Sequence, residues 1–243
     1  PLIGFSTTVI GYTCCLLAFR FVCTGDKHQS RTFAFCTGLP NYGYFPIPIV
    51  AQLFDRETMG ILLVHNIGVE VALWSVGVGY LMASGPAKGL CLRIFNPPIL
   101  ALFIGVLINF SGSASSVPAS CLETFELLGQ CAIPLGLLLI GASFYTLIKI
   151  DGLQTNWRIP LFALVLRTGL LPLFFFVFIY FTTLPQTLNQ VLIVQAAMPC
   201  AVFPIVLTRL YHGATAIACK VVLSTTLMGF ISIPFWIHFG LIM

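Results

Sequence analysis

The chain has 243 residues, 58% of them hydrophobic and only 7% charged, with a mean hydropathy of +1.03. A soluble domain carries roughly 25% charged residues, so a water-soluble fold is excluded. The net charge of +4 is spread over short loops rather than gathered on one patch, which argues against a nucleic-acid partner.

A bilayer-crossing helix needs about 20 mostly apolar residues, fewer where it is broken or supported. In chain order the candidates run roughly 2–22, 33–54, 59–82, 97–110, 121–147, 159–181, 188–210 and 215–242. The first begins at Pro1 within an apolar run, with no charged leader or cleavage site, so it reads as a span and not a signal peptide. An N-terminal truncation is expected. The second, GLPNYGYFPIPIVAQLF, carries Pro40, Pro46 and Pro48. The third holds Glu70 in HNIGVEVALW, one turn after Asn66. The fourth is short but starts with a cap and prolines, Asn96-Pro97-Pro98. The fifth opens on Glu123 and Glu126, where acidic groups suit the helix dipole. Arg167 falls near the middle of the sixth, and the seventh, AAMPCAVFPIVLTRLY, carries Pro199 and Pro204.

Proline removes a backbone donor and clashes with the preceding turn, so the second and seventh segments should be broken helices. At membrane depth, freed backbone groups are tolerated only where protein buries them or a watery cavity solvates them. Matching broken helices in two halves of a chain point to the binding site of a secondary transporter. Loop charges set the orientation: nine basic residues, among them Arg20, Lys88, Arg158 and Lys220, fall on one side against Arg56 alone on the other. Lys/Arg-rich loops stay cytoplasmic, so both chain ends face outward and the two broken segments run in opposite directions. Residues 1–82 then form the first-repeat transport helices, 83–96 a cytoplasmic loop, 97–147 scaffold helices, 148–158 a second cytoplasmic loop, and 159–243 the second-repeat transport helices.

The stretches LPNYGYFPIPIVAQLF, VEVALWSVGVGYL, NPPILALFIGVLI, LLGQCAIPLGLLLIGASF and QAAMPCAVFPIVLTRLY together resemble the auxin efflux carrier family of membrane permeases, in the form expected of a bacterial member. The resemblance covers nearly the whole chain. It implies a ten-helix fold of two inverted five-helix repeats, of which this chain would supply helices three to ten. It also implies two crossed broken helices near mid-membrane, with Pro40, Asn41 and Pro199 on the matching motif positions.

The expected substrate-binding residues are Pro40, Asn41, Gly43, Gln195, Pro199 and Cys200, with Glu70, Asn66 and Arg167 as candidates for handling a coupling ion. Half-helix N-termini carry roughly +0.5 charge each and suit a carboxylate. Each residue has a plainer reading beside that one. The prolines can merely kink helices for packing, and Cys200 is small enough simply to fit. Gln195 can tie two helices together. Glu70 can be neutral and bonded to Asn66 or Ser75, or paired with Arg167, which can also snorkel. Tyr42 and Tyr44 would narrow the pocket or add hydroxyl donors. Gly129, Gly136 and Gly141 suggest close helix packing.

The nine cysteines show no CxxC pair and no Cys/His ligand spacing, so no metal site is expected, and Cys14, Cys15, Cys131, Cys200 and Cys219 read as small buried hydrophobes. HExxH, GxSxG and nucleotide-binding loops are missing, so no catalytic residue, cofactor or ATP-driven pump is expected. The reading is an all-α carrier of the cell membrane that moves a small organic anion, a carboxylate, by alternating access. Its partners are that anion, the lipid bilayer and, as an option, a second copy in a homodimer. A sodium-coupled symporter of the bile-acid type, a non-transporting sensor and, last, an intramembrane enzyme stand as alternatives.

Overall fold

A computed structural model describes residues 1–22, 27–82, 97–151 and 157–243. The loop expected at 83–96, with Lys88 and Arg93, and residues 152–156 of the loop expected at 148–158, lie outside the described residues. The rest is helical: α1 (Leu2–Val22), α2 (Lys27–Gly38), α3 (Pro46–Leu53), α4 (Arg56–Ala72), α5 (Val78–Met82), α6 (Pro97–Phe110), α7 (Ala119–Asp151), α8 (Arg158–Leu164), α9 (Leu171–Phe181), α10 (Gln186–Ala197), α11 (Phe203–Leu210) and α12 (Thr215–Ile242). Among the described residues, four continuous helices are long and apolar enough to cross a membrane: Leu2–Phe21, Arg56–Met82, Arg158–Phe181 and Thr215–Ile242.

The second and seventh sequence segments are each split in two. α2 stops at Gly38 and α3 starts on Pro46, a position where a missing N–H costs a helix nothing. α10 stops at Ala197 and α11 starts at Phe203, with Pro204 in its first turn. α2 begins at Lys27 rather than near 33, because its first turns are held from across the fold: His28 Nε2 lies 2.6 Å from His212 O, and Thr32 Oγ1 accepts from the Ala214 N–H at 3.0 Å.

Two long helices carry π-helical turns. In one, Val78 N–H reaches back five residues to Leu73 O; in the other, Leu171 N–H reaches Leu166 O. The second has a visible cause. Pro172 cannot donate to Thr168 O, and the helix widens just before it. The freed carbonyl finds another donor in Trp236 Nε1 of α12, at 2.8 Å.

α1 packs into the angle between α2 and α4, and α12 packs on α2, α8 and α10. Small residues let the backbones approach: a Cβ on Gly38 would stand 2.7 Å from Tyr12 N and 2.8 Å from the Gly11 carbonyl carbon. Two buried apolar clusters result. One contains Tyr12, Phe33, Phe35, Leu73, Ile205 and Val222; the other contains Val50, Leu62, Phe176, Leu192, Met198 and Trp236. The breaks lie where the clusters meet.

Two expectations are corrected. A Cβ at Gly129 or Gly141 would meet nothing within 4 Å among the described residues, because that stretch of α7 has no close neighbour there; close approach belongs to Gly11 and Gly38 instead. Cys15, Cys200 and Cys219 are buried, but Cys14 and Cys131 are exposed on outward faces of their helices.

Candidate functional site

The two interrupted stretches cross and pair through main-chain atoms. Asn41 N–H donates to Pro199 O at 2.8 Å and Ala201 N–H donates to Leu39 O at 3.0 Å, an isolated antiparallel bridge between Pro40 and Cys200. Cys200 N–H is taken by Thr225 Oγ1 of α12 at 3.3 Å. Proline explains the next contacts. Because Pro199 has no N–H, Gln195 O loses its helical partner and accepts instead from Met198 N–H at 3.3 Å and Arg167 Nη2 at 3.4 Å. Arg167 Nε donates to Met198 O at 2.8 Å. The guanidinium, buried beneath the crossing, therefore sits on the negative C-terminal end of α10.

The opposite face of the crossing opens into a cavity of about 270 Å³ lined by residues 41–44, Glu70, Trp74, Ala201, Val202 and Phe203. Both half-helices present their N-terminal ends here, since residues 41–44 lead into α3 and 201–203 lead into α11. Glu70 stands in the wall with both oxygens engaged: Tyr42 O–H donates to Oε1 at 2.7 Å and Trp74 Nε1 donates to Oε2 at 2.9 Å. Trp74 meets Phe203 edge-on, ring centres 6.1 Å apart. Behind this wall, Asn66 Nδ2 donates to Tyr42 O at 2.7 Å and its Oδ1 accepts from Gln195 Nε2 at 3.0 Å. That chain ties the first break to α10. The Asn41 side-chain NH₂ is buried and without a partner among the described residues.

Of the residues singled out from the sequence, Asn41, Gly43 and Glu70 line the cavity. Asn66 stands one bond behind it. Pro40, Gln195 and Arg167 look into a separate space of about 10 Å³, about the size of one water, shared with His65 and Thr8. Pro199 and Cys200 form the crossing itself. Glu70 is bonded not to Asn66, Ser75 or Arg167 but to Tyr42 and Trp74. Trp74 and Phe203 were not foreseen, although Trp74 follows Glu70 by one helical turn and so shares its face. Among the described residues no group of three or more His, Cys, Asp or Glu side chains gathers to hold a metal ion.

Long apolar helices packed around a crossing of two broken ones define an integral membrane protein. The profile of the membrane transport protein family matches residues 2–92 and 87–237, so the chain belongs to that family, which includes the auxin efflux carriers. It is 23% identical over 239 residues to an uncharacterized transporter of Methanocaldococcus jannaschii, covering 94% of this chain and 76% of that protein. An uncharacterized transporter of Methanothermobacter thermautotrophicus is 21% identical over 213 residues, covering 87% of this chain and 68% of the relative. The chain is a membrane transporter by family.

Proposed function

We propose that the chain is a secondary carrier that moves a small carboxylate-bearing molecule by alternating access at the crossing of its two broken helices. The observation that carries this reading is the pairing of Asn41 N–H with Pro199 O and Ala201 N–H with Leu39 O beside a cavity that both half-helix N-termini face. A carboxylate there meets two positive dipole ends and the unpartnered Asn41 amide. The opposing negative end of α10 is neutralised from behind by Arg167, so the crossing carries its own counter-charge.

In this reading the eight segments are all crossings within an inverted-repeat plan. Residues 1–82 and 159–243 move together against scaffold helices in 97–147, in the cell membrane. The cavity is open to one side of the crossing, while the space of about 10 Å³ on the other side is too small for a cargo molecule. Rocking that exchanges these two conditions carries cargo across. Membrane potential supplies about 2.3 kcal/mol per charge per 100 mV, and the direction follows the gradients.

Counterflow of radiolabelled carboxylates in proteoliposomes tests the proposal. Saturable exchange that persists without sodium is expected. Exchange that vanishes without sodium favours the bile-acid-type symporter, and specific binding with no exchange favours a sensor.

A further inference from the structure

The cavity contains a feature that a purely anionic cargo does not explain. Among the described residues, Glu70 is the one charged side chain in its wall. Trp74 Nε1–H can only donate, and Tyr42 O–H donates to the other oxygen, so both carboxyl oxygens act as acceptors, an arrangement open to the ionised group. A carboxylate offers about four acceptor sites, and these two bonds leave lone pairs for a ligand. Among the described residues no basic side chain forms an ion pair with it, and Arg167 is committed to Met198 O and Gln195 O. Aromatic side chains fill much of the remaining wall: Tyr42, Tyr44, Trp74 and Phe203. A carboxylate framed by aromatic rings is the chemistry that recognises an ammonium group.

The same cavity also asks for an acceptor. Asn41 lines it, and its side-chain NH₂ is buried and has no partner among the described residues. A cargo with only negative charge would satisfy Asn41 but place like charges together in about 270 Å³. A simple amine would satisfy Glu70 but leave Asn41 orphaned and face two positive dipole ends. One molecule carrying both groups satisfies both walls. The volume lies just below the range of ordinary ligand pockets, which suits a cargo of amino-acid size.

We propose that the cargo is a zwitterion of amino-acid type, its ammonium held by Glu70 and the faces of Trp74 and Phe203, its carboxylate held by Asn41 and the half-helix N-termini. This rests on the carrier reading above and narrows it. The test uses the full chain in proteoliposomes and three probes that share one apolar body: phenylalanine, 3-phenylpropanoate and 2-phenylethylamine. Equilibrium binding should favour phenylalanine over each of the other two by at least about tenfold, roughly 1.4 kcal/mol. Glu70→Gln, whose carbonyl can accept from Trp74 Nε1 while its NH₂ donates to the Tyr42 hydroxyl, should bring phenylalanine down to the level of 3-phenylpropanoate with its melting temperature unchanged. Equal or tighter binding of 3-phenylpropanoate by the unaltered protein, or binding of none of the three, overturns the proposal without any reference to the variant. Saturable counterflow of 3-phenylpropanoate with no preference for phenylalanine removes the ammonium subsite while the carrier reading stands. A tenfold binding preference without any counterflow keeps the zwitterion site and removes the carrier reading.

Discussion

The two broken segments use the same device for different ends. Around the second break, Met198, Pro199, Cys200, Ala201 and Val202 are all buried, and its spare carbonyls are taken up by Arg167 from the neighbouring helix. Around the first, Tyr42, Gly43 and Tyr44 remain half-buried, and Asn41 keeps an unused donor. One break is closed by its surroundings; the other is left with a donor unused. Two like interruptions therefore supply paired geometry without paired chemistry.

Opening the closed break should do the most damage. Arg167→Ala leaves Met198 O short of its donor and weakens the second bond to Gln195 O in a buried site, at about 1–3 kcal/mol for each unsatisfied group. Melting in detergent, followed by size-exclusion fluorescence, should fall by at least about 5 °C. Arg167→Lys should recover only part of this, since an ammonium lacks the planar fork. Melting unchanged in the Ala variant would hand Arg167 back to snorkelling.

Steric room beside the two breaks differs as well. Gly38→Ala drives a methyl into main-chain atoms of α1 at 2.7–2.8 Å and should cost about 1–3 kcal/mol. Gly229→Ala, whose nearest neighbour is Pro199 Cγ at 3.4 Å, should change stability little. Equal shifts in the two melting curves would erase the asymmetry.

Asn41→Ala sharpens the comparison at the first break. It removes a buried donor without a partner, so the empty protein should be no less stable, while the apparent affinity in counterflow drops about tenfold. Lower stability with unaltered affinity would make Asn41 a structural residue.

The smallest effect lies at the helices that follow the breaks. Asp55 caps α4 by accepting from Thr58 N–H at 2.9 Å, which holds its carboxyl below the ordinary value of 3.8. α12 has no such side-chain cap of its own. A group with a depressed folded-state pKa stabilises above its unfolded value and loses that contribution as the pH falls through the folded one. Melting temperatures of the unaltered protein and Asp55→Asn should therefore differ slightly at neutral pH and converge as the pH is taken below 3.8. Parallel curves would show that the charge contributes nothing.

The breaks were legible because proline acts locally: its ring and missing N–H dictate an interruption whatever lies nearby. The same holds for Glu70, since a carboxylate in an apolar run is conspicuous from one segment alone. What stayed hidden depends on residues far apart in the chain. The Arg167 bonds, the Trp236 bond to Thr168 O and the Gln195–Asn66 link span separations of 31, 68 and 129 residues. Pro172 announced that a carbonyl would be freed, but only the packing of α12 on that helix says which side chain answers it. Tyr42 as the partner of Glu70 was hidden for the same reason: the broken stretch folds its hydroxyl back over α4.

Both bonds of the Pro40–Cys200 bridge join peptide groups. A joint built this way tolerates drift in the side chains around it, provided the prolines that interrupt the helices persist. Substitutions in the cavity wall can therefore accumulate while the main-chain crossing is inherited unchanged.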